Sequence, residues 1–203
     1  MLRISLFISA LILSSAFFTQ SEDFDTTKRY RPLFGFNIGA NLSALYNSDA
    51  TDELQIENAP GFRLGVLAEF PISEKWSIIP RGELSFNYAR VTEDNVTYKV
   101  DPNNLDFMTH FKYRFKGYEG KARPYMLFGP NIRVPLKSEV GEAYETKTSL
   151  AADFAFGVQI DASHFFISPE LRFSGGLTDI RKTPSGKMLR GSNVAFVLVF
   201  TGK

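Results

Sequence analysis

Apolar and polar residues alternate with a period of two along most of the chain, the pattern of strands whose two faces meet different surroundings. Phe62, Leu64, Val66, Ala68 and Phe70 alternate with Arg63, Gly65, Leu67 and Glu69. Trp76, Ile78, Leu84 and Phe86 alternate with Ser77, Arg81, Glu83 and Ser85. Leu105, Phe107, Phe111 and Tyr113 alternate with Asp106, Met108, Lys112 and Arg114. Phe154, Phe156, Val158 and Ile160 alternate with Asp153, Ala155, Gly157 and Gln159, and Phe165, Ile167, Leu171 and Phe173 with Phe166, Ser168, Glu170 and Arg172. Three weaker strands are predicted: 33–46, rich in Gly and Asn; 125–136, which holds two prolines; and 193–201, nearly all apolar. The total is about eight, an even number, as a closed single-chain bacterial barrel requires. After the first 20 or so residues no long stretch has helical periodicity.

The connections alternate too. Short links fall at 71–75, 116–122 and 161–164, and long ones at 47–60, 92–104, 137–149 and 179–192. A barrel with tight periplasmic turns and extended outer loops has this rhythm. Turn lengths suggest a register: with Phe70 facing Trp76, Arg63 lies opposite Glu83; with Ile160 facing Phe165, Asp153 lies opposite Arg172. Pro80, Pro130 and Pro169 sit inside strands, where each removes a ladder donor, and β-bulges are the expected remedy.

Volume decides which face is outside. An eight-stranded interior is only just wide enough to be filled by side chains. The apolar set carries Trp76 and a large share of the 20 Phe and 8 Tyr, too much bulk for such a core but no burden when facing hydrocarbon. The opposite set carries charges of both signs in mid-strand: Arg63, Glu69, Arg81, Glu83, Asp106, Lys112, Arg114, Arg133, Asp153, Glu170 and Arg172. A two-sign set can pair across a narrow lumen, where isolated charge would be expensive. The expected fold is therefore all-β: a closed antiparallel transmembrane β-barrel of about eight strands. A soluble two-sheet sandwich, with the charged face in water, is the competing architecture.

The N-terminus fits export. Arg3 precedes an apolar run, 4–18, broken only by serines and shorter than the ~20 residues of a spanning helix. Small residues before Glu22-Asp23 offer a cleavage site. The organisation expected is a signal peptide over 1–21, a periplasmic segment over 22–32 and an outer-membrane barrel over 33–203; an uncleaved anchor is the alternative. With 23 basic and 22 acidic residues, removing Arg3 leaves 22 of each, and no basic stripe suggests nucleic acid. The absence of Cys excludes disulfides, thiolate metal sites, a Cys nucleophile and a lipidated cysteine.

Four stretches give the chain a resemblance to the PorT-like family of Bacteroidetes outer-membrane β-barrel proteins. Tyr30-Arg31-Pro32-Leu33-Phe34-Gly35-Phe36-Asn37-Ile38-Gly39 is similar to the family's first strand, and 61–70, running into Glu83-Leu84-Ser85-Phe86, to its second and third. Arg123-Pro124-Tyr125 resembles the opening of its fifth. Ile167-Ser168-Pro169-Glu170-Leu171-Arg172-Phe173-Ser174, followed by Gly175-Gly176-Leu177-Thr178, resembles its Pro-Glu-apolar-basic-aromatic-Ser strand. The resemblance implies an outer-membrane location and, for the namesake branch, a part in type IX protein secretion.

Candidate chemistry is sparse. His110 shares the polar face with Asp106 and Lys112, but no nucleophile or metal set accompanies it, so a hydrogen-bonded structural role is expected. Glu83, Glu170 and Asp153, with arginines nearby, read as counter-ions rather than tuned acids. No catalytic, metal or cofactor site is expected. Outer-membrane lipid is the expected surrounding, with secretion proteins or lipopolysaccharide as partners at the loops: Arg181, Lys182, Lys187 and Arg190 form a basic one, Asp49, Asp52, Glu53 and Glu57 an acidic one. The function expected is a non-enzymatic outer-membrane barrel, with a surface-interaction barrel, a lipid-modifying enzyme and a small passive pore as alternatives.

Overall fold

A computed structural model describes residues 31–47, 55–86, 89–93, 96–100, 103–115, 120–136, 147–180 and 189–203. The expected leader, most of the segment 22–32 and the loop residues Asp49, Asp52, Glu53, Arg181, Lys182 and Lys187 lie outside the described residues. Ten strands follow in order: β1 (Leu33–Asn47), β2 (Gln55–Pro71), β3 (Trp76–Phe86), β4 (Ala89–Glu93), β5 (Val96–Val100), β6 (Asn104–Arg114), β7 (Ala122–Pro135), β8 (Ser149–Ala162), β9 (Phe165–Gly176) and β10 (Leu189–Gly202).

Eight of them close an antiparallel barrel in the order β1-β2-β3-β6-β7-β8-β9-β10, β10 returning to β1. Closure removes every edge from the wall. Stepping through paired residues from Gly176 leads to Ala151, Asn131, Met108, Arg81, Leu67, Gly35, Thr201 and then Phe166, ten positions down the starting strand. With that stagger, a rise of ~3.3 Å and a spacing of ~4.8 Å, the strands tilt about 41° and the backbone radius is about 8 Å. Side chains fill a cylinder of that width.

The faces separate by parity. Phe34, Phe36, Val66, Phe107, Phe156 and Phe196 are among the exposed large apolar residues, while all eleven charged residues named above are buried. At the short-turn end Trp76 meets Tyr113 at 4.9 Å between ring centroids and Tyr113 meets Phe115 at 5.6 Å, an aromatic girdle of the kind found at a membrane interface. β10 alternates weakly in sequence because its inward residues Ala195, Val197 and Val199 are themselves apolar and pack with Leu67 and Ile79.

Four expectations need correction. Arg63 lies opposite Ser85, not Glu83, because Phe70 faces Ile78; Ile72 and Ser73 donate their amides to the Trp76 carbonyl, tightening a longer turn. Asp153 lies opposite Ser174, not Arg172, because Ala162 pairs with Phe165 across a two-residue turn with Ser163 at φ 65°. The prolines make no bulges. Around Pro80, Pro130 and Pro169 the ladder to β2, β6 and β8 respectively is interrupted, yet its register is the same on both sides of each gap. Pairing to the other neighbour is continuous. An antiparallel residue points its N–H at one neighbour only, so each proline forfeits one bond on one side. Finally, the link 92–104 holds strand: β4 and β5 carry the β3–β6 hairpin past the barrel rim, Ser85–Asn104 and Ala89–Val100 lying on one register. β4 also pairs with the outer part of β2, which begins at Gln55, inside the expected link 47–60.

Candidate functional site

The lumen holds the chemistry. Inward positions of β2, β3 and β9 place five charged side chains in a continuous chain, Arg63–Glu83–Arg172–Glu170–Arg81. Arg63 donates Nη1 to Glu83 at 3.3 Å, and Arg172 donates to both Glu83 oxygens at 2.8 and 3.0 Å. Arg172 also reaches Glu170 at 3.1 Å, and Arg81 holds Glu170 through two bonds of 2.8 and 2.7 Å. Neutral groups complete the carboxylates: Asn37 donates to Glu83 at 3.0 Å and the Tyr125 hydroxyl to Glu170 at 2.7 Å. Doubled arginine–carboxylate contacts fix geometry as well as charge, and the well-met carboxylates help make the buried ions tolerable, although the Nε of Arg63, Arg81 and Arg172 lacks a hydrogen bond among the described residues.

Glycines make room for these groups. A Cβ on Gly65 would meet the Glu83 Cγ at 2.5 Å, and one on Gly157 would meet the Tyr125 Cζ and Oη, both at 2.5 Å. The Tyr125 ring lies over Gly157, its partner across the ladder, and so brings its hydroxyl to Glu170, which faces Gly157 from β9.

Two smaller clusters flank the chain. Toward the short turns, Glu69 pairs with Arg114 and with Lys112 at 3.0 Å; Lys112 also donates to Gln159 at 3.4 Å and sits 4.2 Å over the Tyr125 ring. Toward the long connections, Asp153 is met by His110 Nε2 at 3.1 Å, by Asn131 at 3.2 Å and by the Ser174 hydroxyl. Arg133 donates to Ser174 at 2.5 Å and to the Gly191 carbonyl at 2.8 Å.

Of the eleven residues singled out in sequence, Arg63, Arg81, Glu83, Glu170 and Arg172 meet in the central chain and Glu69, Lys112 and Arg114 in the first flanking cluster. Asp153 and Arg133 are joined through Ser174. Arg63 and Glu83 still meet, diagonally, whereas Asp153 and Arg172 form no direct pair. Asp106, buried between Glu83 and Arg133 in the ladder, makes no ion pair among the described residues, and its Oδ1 lacks a hydrogen bond. Sequence reasoning passed over Asn37, Tyr125, Asn131, Gln159 and Ser174 because they are uncharged, although their inward parity was there to be read.

The arrangement cross-braces the barrel and occupies its bore. No group of three or more His, Cys, Asp or Glu among the described residues is placed to hold a metal ion.

A family model described as outer membrane protein beta-barrel domain matches residues 18–182. Solved structures of similar architecture include the outer membrane protein OprG from Pseudomonas aeruginosa, with TM-score 0.56 and 12% identity over 84% of this chain and 93% of that one. Neisserial surface protein A (NspA) gives TM-score 0.55 and 14% identity over 82% and 95%. At these identities the likeness is one of fold. No curated protein matches the sequence.

Proposed function

Because the chain belongs to the outer membrane protein β-barrel family and resides in the outer membrane, we propose that it works there as a non-enzymatic barrel, closed to solutes, that acts on protein partners through its exposed ends. The observation that carries this reading is the occupied lumen, in which Arg63, Glu83, Arg172, Glu170 and Arg81 are bonded to one another across the bore. Mixed charge of this kind gives neither an open path nor the single-sign ring an ion-selective pore uses. The same bonds hold the carboxylates as counter-ions. The PorT-like resemblance supports a finer assignment, an accessory of type IX secretion that binds secretion proteins, with lipopolysaccharide at the outer loops. Export through a leader over 1–21, removed on the way, is part of the same proposal.

Planar-bilayer recordings of the refolded protein test the closed lumen. No steady conductance above a detergent control is expected; reproducible channels of porin size would replace this reading with a pore. Pull-down from detergent-solubilised outer membrane tests the assignment to secretion, which recovery without secretion components would end.

A further inference from the structure

In the half of the lumen nearer the long connections, one guanidinium stands between two carboxylates. Arg133 on β7 lies directly opposite Asp106 on β6, and both side chains are buried, yet the two do not pair. Arg133 crosses the bore instead. It gives Nη1 to the Gly191 carbonyl on β10 at 2.8 Å and Nη2 to the Ser174 hydroxyl on β9 at 2.5 Å. Small residues clear its path. Arg133 faces Ser149 across the β7–β8 ladder and Ser174 faces Asp153 across the β8–β9 ladder, so the arm passes β8 at Ala151. Ala151 in turn faces Gly176. A Cβ on Gly176 would stand 2.6 Å from the Gly191 oxygen, the atom that the arm reaches.

We propose that Arg133 is a two-position strap. In one position it lies across the bore on Gly191 and Ser174 and covers Ala151; in the other it folds back on Asp106, along its own side of the wall, and uncovers Ala151. The two seats are balanced because each serves one acid. Across the bore, the Ser174 hydroxyl that Arg133 holds donates in turn to Asp153. Asp153 is also met by His110 and Asn131, so it keeps three partners when the arm leaves. Asp106 is poorer: its Oδ1 lacks a hydrogen bond, it makes no ion pair among the described residues, and Glu83, a like charge, faces it from β3. A lone buried carboxylate is costly, and opposite charges facing each other across a ladder attract. Departure thus strands no group at the first seat and relieves one at the second. Two seats of comparable worth for one side chain make a two-state element. The chain Arg63–Glu83–Arg172–Glu170–Arg81 is untouched in either position. The strap therefore governs entry to the outer half of the lumen, while the bore below stays closed.

The test follows the rate at which a small, water-soluble methanethiosulfonate labels Ala151→Cys in the full-length protein, refolded in phosphatidylcholine bicelles that leave both ends accessible. Arg133→Gln, which shortens the arm and removes its charge, should speed labelling several-fold. Asp106→Asn, which spoils the second seat and leaves the first intact, should slow it several-fold. In the Arg133→Gln background, Asp106→Asn should change nothing. General loosening of the barrel would instead speed labelling in both backgrounds, so the double substitution separates the strap from a damaged fold. Labelling no faster in Arg133→Gln, labelling unchanged or faster in Asp106→Asn, or an Asp106→Asn effect that persists without Arg133 overturns the proposal. Planar-bilayer conductance is read separately: steady channels in the unchanged protein would end the closed-lumen reading and leave the labelling result to decide the strap.

Discussion

Glu83 is the most exacting place to perturb the lumen, since it accepts from Arg63, Arg172 and Asn37 and is fully buried. Glu83→Ala leaves Arg63 with Ser85 as its remaining hydrogen-bonded side-chain partner, at 3.3 Å, and leaves Arg172 with Glu170. At an effective dielectric near 20, each of the two charge pairs contributes about 4 kcal/mol of gross attraction at ~4 Å. Several kcal/mol of carboxylate desolvation is recovered on removal, so the expected net loss is about 3–5 kcal/mol. Glu83→Gln should lose less, because its amide oxygen still accepts one bond. Urea unfolding in lipid vesicles, followed by fluorescence of Trp76, the single tryptophan, measures the difference as a shift in midpoint at constant slope. Combining Glu83→Gln with Arg63→Met should cost less than the sum of the two, since the orphaned charge is then gone. A Glu83→Ala loss below ~1 kcal/mol, with the slope unchanged, would mean that water solvates the network, and the reasoning from burial would fail.

Gly157→Ala should destabilise by about 1–3 kcal/mol through collision with the Tyr125 ring, and most of that loss should vanish in a Tyr125→Leu background; equal losses in both backgrounds would refute the packing account. Pro130→Ala should restore a donor facing Thr109 without moving the register. Its stability should stay within ~1 kcal/mol of the parent, a gained hydrogen bond of about 0.5–1.5 kcal/mol being offset by the freer unfolded chain. Hydrogen exchange supplies the check there: the new amide at position 130 should be protected, and rapid exchange would mean that the strands stay parted.

What the amino-acid order reveals follows from physical period. Inward and outward sets are legible because a strand repeats every two residues and hydrocarbon tolerates Phe where it rejects Arg, so Arg63 through Arg172 could be placed inside before any register was known. Register is a subtler quantity. It depends on turns such as the one at Ser163, a left-handed position occupied by neither Gly nor Asn, and no residue type announces it. An error of two positions preserves parity, so the charged set stayed inside while its pairings shifted: Arg63 kept Glu83 by reaching diagonally, and Asp153 went to His110, Asn131 and Ser174. The neutral members were overlooked for a different reason, since Asn37 and Tyr125 mark a lumen only when a carboxylate is known to lie beside them. β4 and β5 stayed hidden because a hairpin standing beyond the bilayer has no apolar face imposed on it.

The span of the central charge chain bears on how the barrel enters the bilayer. Arg81 and Glu170, like Glu83 and Arg172, are 89 positions apart along the chain. Their charges therefore find no mutual partner until the late strands arrive. A β2–β3 hairpin crossing by itself could keep the Arg63–Glu83 pair but would carry Glu69 and Arg81 into hydrocarbon without their partners on β6 and β9, and Arg or Lys at the midplane costs roughly 2–4 kcal/mol each on a lipid-facing barrel surface. Stepwise entry of single hairpins is thereby penalised. Strands that gather first at the interface, where those side chains stay wet, avoid the penalty and lose their water together as the last seam zips. Insertion and ring formation become one kinetic event.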